Sequence, residues 1–87
     1  MENGKIPTKG IGQRIRALRQ AKGWSETQLA NKMTYVLGRD FLQYSVSRVE
    51  VEFRVHLRDD ELIAFAQIFG VSHLDLANIK KPMAITV

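Results

Sequence analysis

Few side chains in this sequence have the type and spacing that reaction chemistry requires. His56 and His73 lie seventeen positions apart, with no carboxylates arranged around them as a metal or catalytic group would need. Cysteine is absent, which excludes disulfides, thiolate zinc ligands and cysteine nucleophiles. Asp59, Asp60 and Glu61 form an acidic triplet, but an apolar helical pattern follows them. Negative charge at a helix amino terminus is stabilised by the helix dipole, and that explains the triplet without a metal. No glycine-rich phosphate loop is present. The expectation is a protein with no catalytic residues, no metal, no cofactor and no evident small-molecule ligand.

Charge points elsewhere. The chain has 87 residues and a net charge of +4. Residues 1 to 39 hold eight Lys/Arg against Glu2 and Glu26, whereas residues 40 to 87 hold five against seven acids. A basic amino-terminal half suits a polyanion such as nucleic acid, although a solvated basic face would look the same. Apolar residues make up 45% and charged residues 25%, a globular composition that suits one small domain. No apolar run approaches the ~20 residues of a membrane span, and the polar start M-E-N-G-K-I-P-T-K-G is unlike a secretory signal. The expected location is the cytoplasm, with no membrane partner.

The elements that would position these residues can be read from periodicity and caps. Thr8 is placed to cap a first helix carrying Ile11, Ile15 and Leu18, which Gly23 stops, with Trp24 packing back as core. Ser25 and Gln28 form a capping box for a second helix with Leu29, Ala30, Met33, Val36 and Leu37 on its buried stripe, ended by Gly38. Asp40 and Gln43 make another capping pair, so a third helix is expected to start near Phe41 and to run through Val46 and Val49 to about Glu50.

From Val49 to Leu57 the run V-E-V-E-F-R-V-H-L alternates with period two, a strand signature that collides with the helical reading. The helix is expected to end near Val51, followed by an extended connection through Leu57. Arg58 or Asp59 then begins a fourth helix with Leu62, Phe65, Ala66 and Phe69 on one face and Gly70 as its stop. Ser72 and Asp75 cap a short fifth helix carrying Leu74 and Leu76. The division expected is a flexible arm over residues 1–10, a domain over 11–78 and a β-prone tail over 79–87.

Five short helices with the second and third close together resemble the lambda-repressor-like helix-turn-helix family of Cro/CI or XRE type. The likeness is carried by I-G-Q-R-I-R-A-L-R-Q-A-K-G-W-S-E-T-Q-L-A, V-S-R-V-E and L-I-A-F-A-Q-I-F-G-V-S-H-L-D-L, within residues 11 to 76. It implies an all-α, five-helix fold whose second helix rests across a phosphate backbone and whose third enters the major groove. It places Gln43, Tyr44, Ser45, Ser47 and Arg48 at groove-facing positions and turns Val46 and Val49 to the core. Glutamine pairs bidentately with adenine, arginine with guanine, and hydroxyls with bases or phosphates. Arg19 and Glu50 occupy positions where the family commonly has a buried ion pair linking the first and third helices.

Three departures stand out. Glu26 follows the capping serine where the family usually has a phosphate-contacting glutamine, so Thr27 or Gln28 is expected to substitute. The run M-T-Y-V-L-G-R-D-F-L is longer than the family's usual turn, implying an extended second helix. Glu52 stands where a glycine usually follows the third helix. Arg14, Arg39 and Arg54 are candidates for backbone phosphates.

The function implied is a sequence-specific double-stranded DNA-binding transcriptional regulator, a repressor acting as a homodimer on half-sites about 34 Å apart. The fifth helix and the tail Met83 to Val87 are the candidate interface, the tail pairing with its symmetry mate or with the segment near Phe53. The alternative is a protein-interaction module, such as an antitoxin-like partner using the same helices.

Overall fold

The computed structural model describes residues 6–81 and Met83. Among the described residues five helices, α1 (Ile11–Ala21), α2 (Glu26–Leu37), α3 (Gln43–Glu50), α4 (Asp59–Phe69) and α5 (His73–Ala77), make an all-α domain. A two-stranded antiparallel sheet joins β1 (Ile6–Pro7) to β2 (His56–Leu57), with Ile6 opposite Leu57 and Pro7 opposite His56. The core is formed by the apolar stripes of α1 to α4 together with Phe41, Leu57 and Leu76, and Phe65, Ile15, Leu29 and Met33 are among its fully buried side chains. Among the described residues no helix is long and apolar enough to cross a membrane.

The caps of α2 are those the sequence predicts. Ser25 Oγ accepts from the Gln28 N–H at 3.0 Å and Gln28 Oε1 from the Ser25 N–H at 2.7 Å, while Gly38 closes the helix in the left-handed conformation. α2 continues to Leu37, and residues 38–42 lead from it to α3. Trp24 is half-buried and stacks on Phe69 with ring centroids 5.7 Å apart.

Two expected caps are not used. Thr8 does not start α1, because β-pairing holds its segment extended: the Thr8 N–H donates to the Val55 carbonyl at 2.9 Å, and Gly10 takes the cap position. Residues 6–10 therefore belong to the folded domain rather than to a flexible arm; the expectation for residues 1–5 lies outside the described residues. Asp40 does not cap α3 either, whose cap residue is Leu42, with no side-chain hydrogen bond. The reason is Thr34, whose hydroxyl accepts from the Phe41 N–H at 2.9 Å and donates to the Phe41 carbonyl at 3.1 Å. Phe41 is thereby held out of the helix and buried, its ring edge-on to Phe65.

After α3 the chain reverses at Glu52, a non-glycine residue with φ of 60°. The expected extended connection shrinks to β2, and Val51, Phe53 and Val55 are exposed while Leu57 is buried. The reversal also starts α1. Glu52 Oε2 accepts from the Gly10 N–H at 2.7 Å and the Gln13 N–H at 3.3 Å, so a carboxylate from the far end of α3 caps that helix.

At α4 the acidic triplet serves the helix terminus. Glu61 is buried; it accepts from the Arg58 N–H at 2.9 Å and pairs with Arg54 and, at 3.8 Å, with Arg39. In α5 the Ser72 hydroxyl caps the Leu74 N–H, and Leu76 is buried while Leu74 is exposed. The expectation of a strand or dimer contact from the tail falls mostly on residues outside those described; Met83 packs against the core.

Candidate nucleic-acid interface

α3 presents two unlike faces, and helical periodicity decides which residue goes where. Val46 and Val49 have no exposure and Glu50 very little, whereas Gln43, Tyr44 and Arg48 are exposed and Ser45 and Ser47 are half-buried. The inward face is fixed to α1 by ion pairing. Arg19 Nε donates to Glu50 Oε2 at 2.6 Å and Nη2 to Glu50 Oε1 at 3.0 Å, a bidentate fork, while Nη1 donates to the Trp24 carbonyl at 2.8 Å. The hydrogen bonds to Glu50 raise the Arg19 guanidinium above its ordinary pKa, against the lowering effect of desolvation. Glycine at position 12 allows the close approach of α1 to α3, since an added Cβ would overlap the Val49 carbonyl oxygen.

The amino ends of α2 and α3 meet at the outward face. Gln43 Nε2 donates to Glu26 Oε1 at 2.7 Å, so the first residue of α3 engages the first residue of α2. Thr27 and Gln28 are exposed beside it, although the side-chain oxygen of Gln28 is already committed to the capping box.

Arg48 lies one turn beyond Tyr44. Its guanidinium carbon is 5.0 Å from the Tyr44 ring centroid and 5.9 Å from that of Phe53. These distances fall within the range of cation–π attraction. Together with Ser45 and Arg54 these three line a surface hollow of about 430 Å³.

Other arginines are committed to the fold. Arg39 donates to Asp60 Oδ2 at 3.1 Å, at the start of α4 rather than toward the α3 face. Arg54 donates to the His56 carbonyl and to Glu61, and Arg14 to the carbonyls of Asp75, Leu76 and Lys81 near the end of α5. All three expected phosphate ligands thus have internal partners. Among the described residues, no acceptor takes a hydrogen bond from the Arg48 guanidinium.

The structure therefore brings Gln43, Tyr44, Ser45, Ser47 and Arg48 to one side of α3, beside the amino end of α2, and leaves Arg39 with α4. Glu26 and Phe53 are the neighbours that residue types did not disclose. Nothing in the alternation around Phe53 indicates that the turn folds it back on Arg48. Among the described residues no group of three or more His, Asp or Glu side chains gathers as a metal site would require. No family model, curated protein or solved structure matches this chain.

Proposed function

We propose that this chain is a non-enzymatic, sequence-specific double-stranded DNA-binding protein of helix-turn-helix type, working as a homodimeric transcriptional repressor with α3 as its recognition helix. The observation that carries the reading is Arg48. It stands on the outward face of α3 with five N–H donors that no described residue uses, the Tyr44 and Phe53 rings lie beside it, and Gln43 is exposed in the first turn of the same helix. A planar fork presented from a helix face is the group that reads guanine O6 and N7 in the major groove, and a glutamine carboxamide is its counterpart for adenine. Basic side chains elsewhere would supply the salt-dependent part of affinity. Such a protein would act in the cytoplasm, on the nucleoid.

Selection from a randomised duplex pool at near-physiological salt tests the reading. The expected result is an enriched inverted repeat, with one guanine per half-site lost in Arg48→Ala. Binding without enrichment, weakening steeply with salt, would overturn it.

A second reading, a protein-interaction module, is favoured by one observation: Tyr44, Val51, Phe53 and Val55, on α3 and the turn after it, are 51%, 63%, 73% and 66% exposed. Large apolar side chains exposed together mark interaction sites where they form a contiguous patch. Capture of a protein partner through these residues without DNA would favour it; a tight DNA footprint would exclude it as the main activity.

A further inference from the structure

Phe53 is a large apolar side chain that the core does not need, since nearly three quarters of it is exposed. Its position is nevertheless built. The left-handed turn at Glu52 reverses the chain, the Arg54 N–H donates to the Arg48 carbonyl at 3.1 Å, and the Phe53 ring is set beside the Arg48 guanidinium. Tyr44, four residues before Arg48 on α3, supplies a second ring. A guanidinium that stacks by its flat faces keeps its N–H groups in the plane and available at the edge.

We propose that Phe53 is the residue that sets base specificity through Arg48, holding the guanidinium with Tyr44 so that its edge is aimed at a guanine. The inference rests on the DNA-binding reading above and adds to it a residue outside the recognition helix. An unsupported arginine on an exposed helix face samples many rotamers, and ordering it on binding costs affinity. Holding it in advance lowers that cost only for the base that matches the held geometry. The ring should therefore affect discrimination more than general affinity. Aromaticity is the property required: tryptophan offers a better face than phenylalanine, whereas leucine offers bulk without one.

The test compares wild type, Phe53→Leu, Phe53→Ala, Phe53→Trp and Arg48→Ala. Each is titrated with the duplex that wild type selects and with one in which the guanine lost by Arg48→Ala is replaced. Phe53→Leu and Phe53→Ala should lose about tenfold of guanine discrimination, a share of what one bidentate arginine contact supplies, and Phe53→Trp should stay within about twofold of wild type. Melting temperatures should be unchanged, because the ring is exposed. In the DNA-free protein, 15N relaxation of the Arg48 Nε–H should show a rigid group in wild type and Phe53→Trp, and a mobile one in Phe53→Leu.

Equal weakening on both duplexes, unchanged discrimination, or equal Arg48 mobility in wild type and Phe53→Leu would overturn the role of Phe53, while loss of discrimination in Arg48→Ala would still uphold the DNA-binding reading. If wild type selects no site, that reading fails and the inference fails with it.

Discussion

Gln43 Nε2 donates to Glu26 Oε1 across 2.7 Å, tying the first residue of α3 to the first residue of α2. A carboxylate accepts and does not donate, so this contact fixes which end of the Gln43 carboxamide points toward α2. One N–H and the carbonyl oxygen of Gln43 remain, which is the pair adenine requires. On the DNA-binding reading, Glu26 therefore orients the base-reading side chain while placing a negative charge near the phosphates.

Glu26→Gln separates those two effects. The new carboxamide oxygen still accepts from Gln43 and the charge is gone. Affinity should rise by roughly two- to tenfold at low salt, since two unit charges ~4 Å apart in water interact by about 1 kcal/mol. The adenine preference should persist, whereas Glu26→Ala should loosen it. Anisotropy titrations on selected and substituted duplexes measure both; weaker binding by Glu26→Gln would contradict the repulsion.

Arg19 and Glu50 give the second prediction. Their side chains are 12% and 2% exposed, and the fork between them leaves little of the Glu50 carboxylate to water. Arg19→Ala strands that charge, and losing one partner of a buried pair typically costs about 3 to 5 kcal/mol. Native domains have about 5 to 15 kcal/mol in total, so the variant should melt far lower or, at the lower end of that range, fail to fold. Replacing both residues by methionine should be milder than Arg19→Ala in urea denaturation. Unchanged thermal stability in Arg19→Ala would contradict the structural role.

Local signals in the sequence were reliable where the chain's own backbone decides the outcome. Ser25, Gln28 and Gly38 mark the ends of α2, and the spacing of Val46 and Val49 predicts which side of α3 faces outward. They failed where a residue from another element intervenes. Asp40 and Gln43 have the spacing of a capping pair, but the Thr34 hydroxyl holds Phe41 out of the helix. Thr8 has the type of a cap, but pairing of β1 with β2 holds its segment extended. The site shows the same division: the outward residues of α3 follow from periodicity, whereas the commitment of Arg14, Arg39 and Arg54 to carbonyls and acids elsewhere could not be read from spacing.

Thr8 supplies a third prediction. Its hydroxyl is buried, and Oγ1 has no hydrogen-bond partner among the described residues. Valine keeps the shape and removes the unpaired group, whose burial typically costs about 1 to 3 kcal/mol. Thr8→Val should stabilise the domain by about 1 kcal/mol and Thr8→Ala should not, because it also opens space in the core. Loss of stability in Thr8→Val would reveal a partner for the hydroxyl.

Two glycines make a contrasting pair. At Gly12 an added Cβ would overlap the Val49 carbonyl oxygen, a backbone atom that cannot turn aside, so Gly12→Ala must push α1 away from α3. Overpacking of this kind costs typically 1 to 3 kcal/mol, and a backbone collision should lie at or above the upper end. At Gly38 there is open space, but φ is +72°. Gly38→Ala should therefore cost only the left-handed penalty of about 1 to 2 kcal/mol. Urea denaturation of the two variants should rank them in that order, and the reverse ranking would mean that α1 and α3 are not in the close contact described.

Glu52 combines strain and compensation in one residue. Its φ of 60° is a conformation that glycine accepts readily, and its carboxylate caps the two N–H groups at the start of α1. Glu52→Ala keeps the strain and removes the cap, so it should destabilise by about 1 to 2 kcal/mol. Glu52→Gly also removes the cap but relieves a left-handed penalty of about 1 to 2 kcal/mol, and the two effects should nearly cancel. Glu52→Gln keeps an acceptor and loses the charge, and should fall between wild type and alanine. The decisive comparison is alanine against glycine in urea denaturation. If glycine destabilises as much as alanine, the left-handed turn carries no strain at this position.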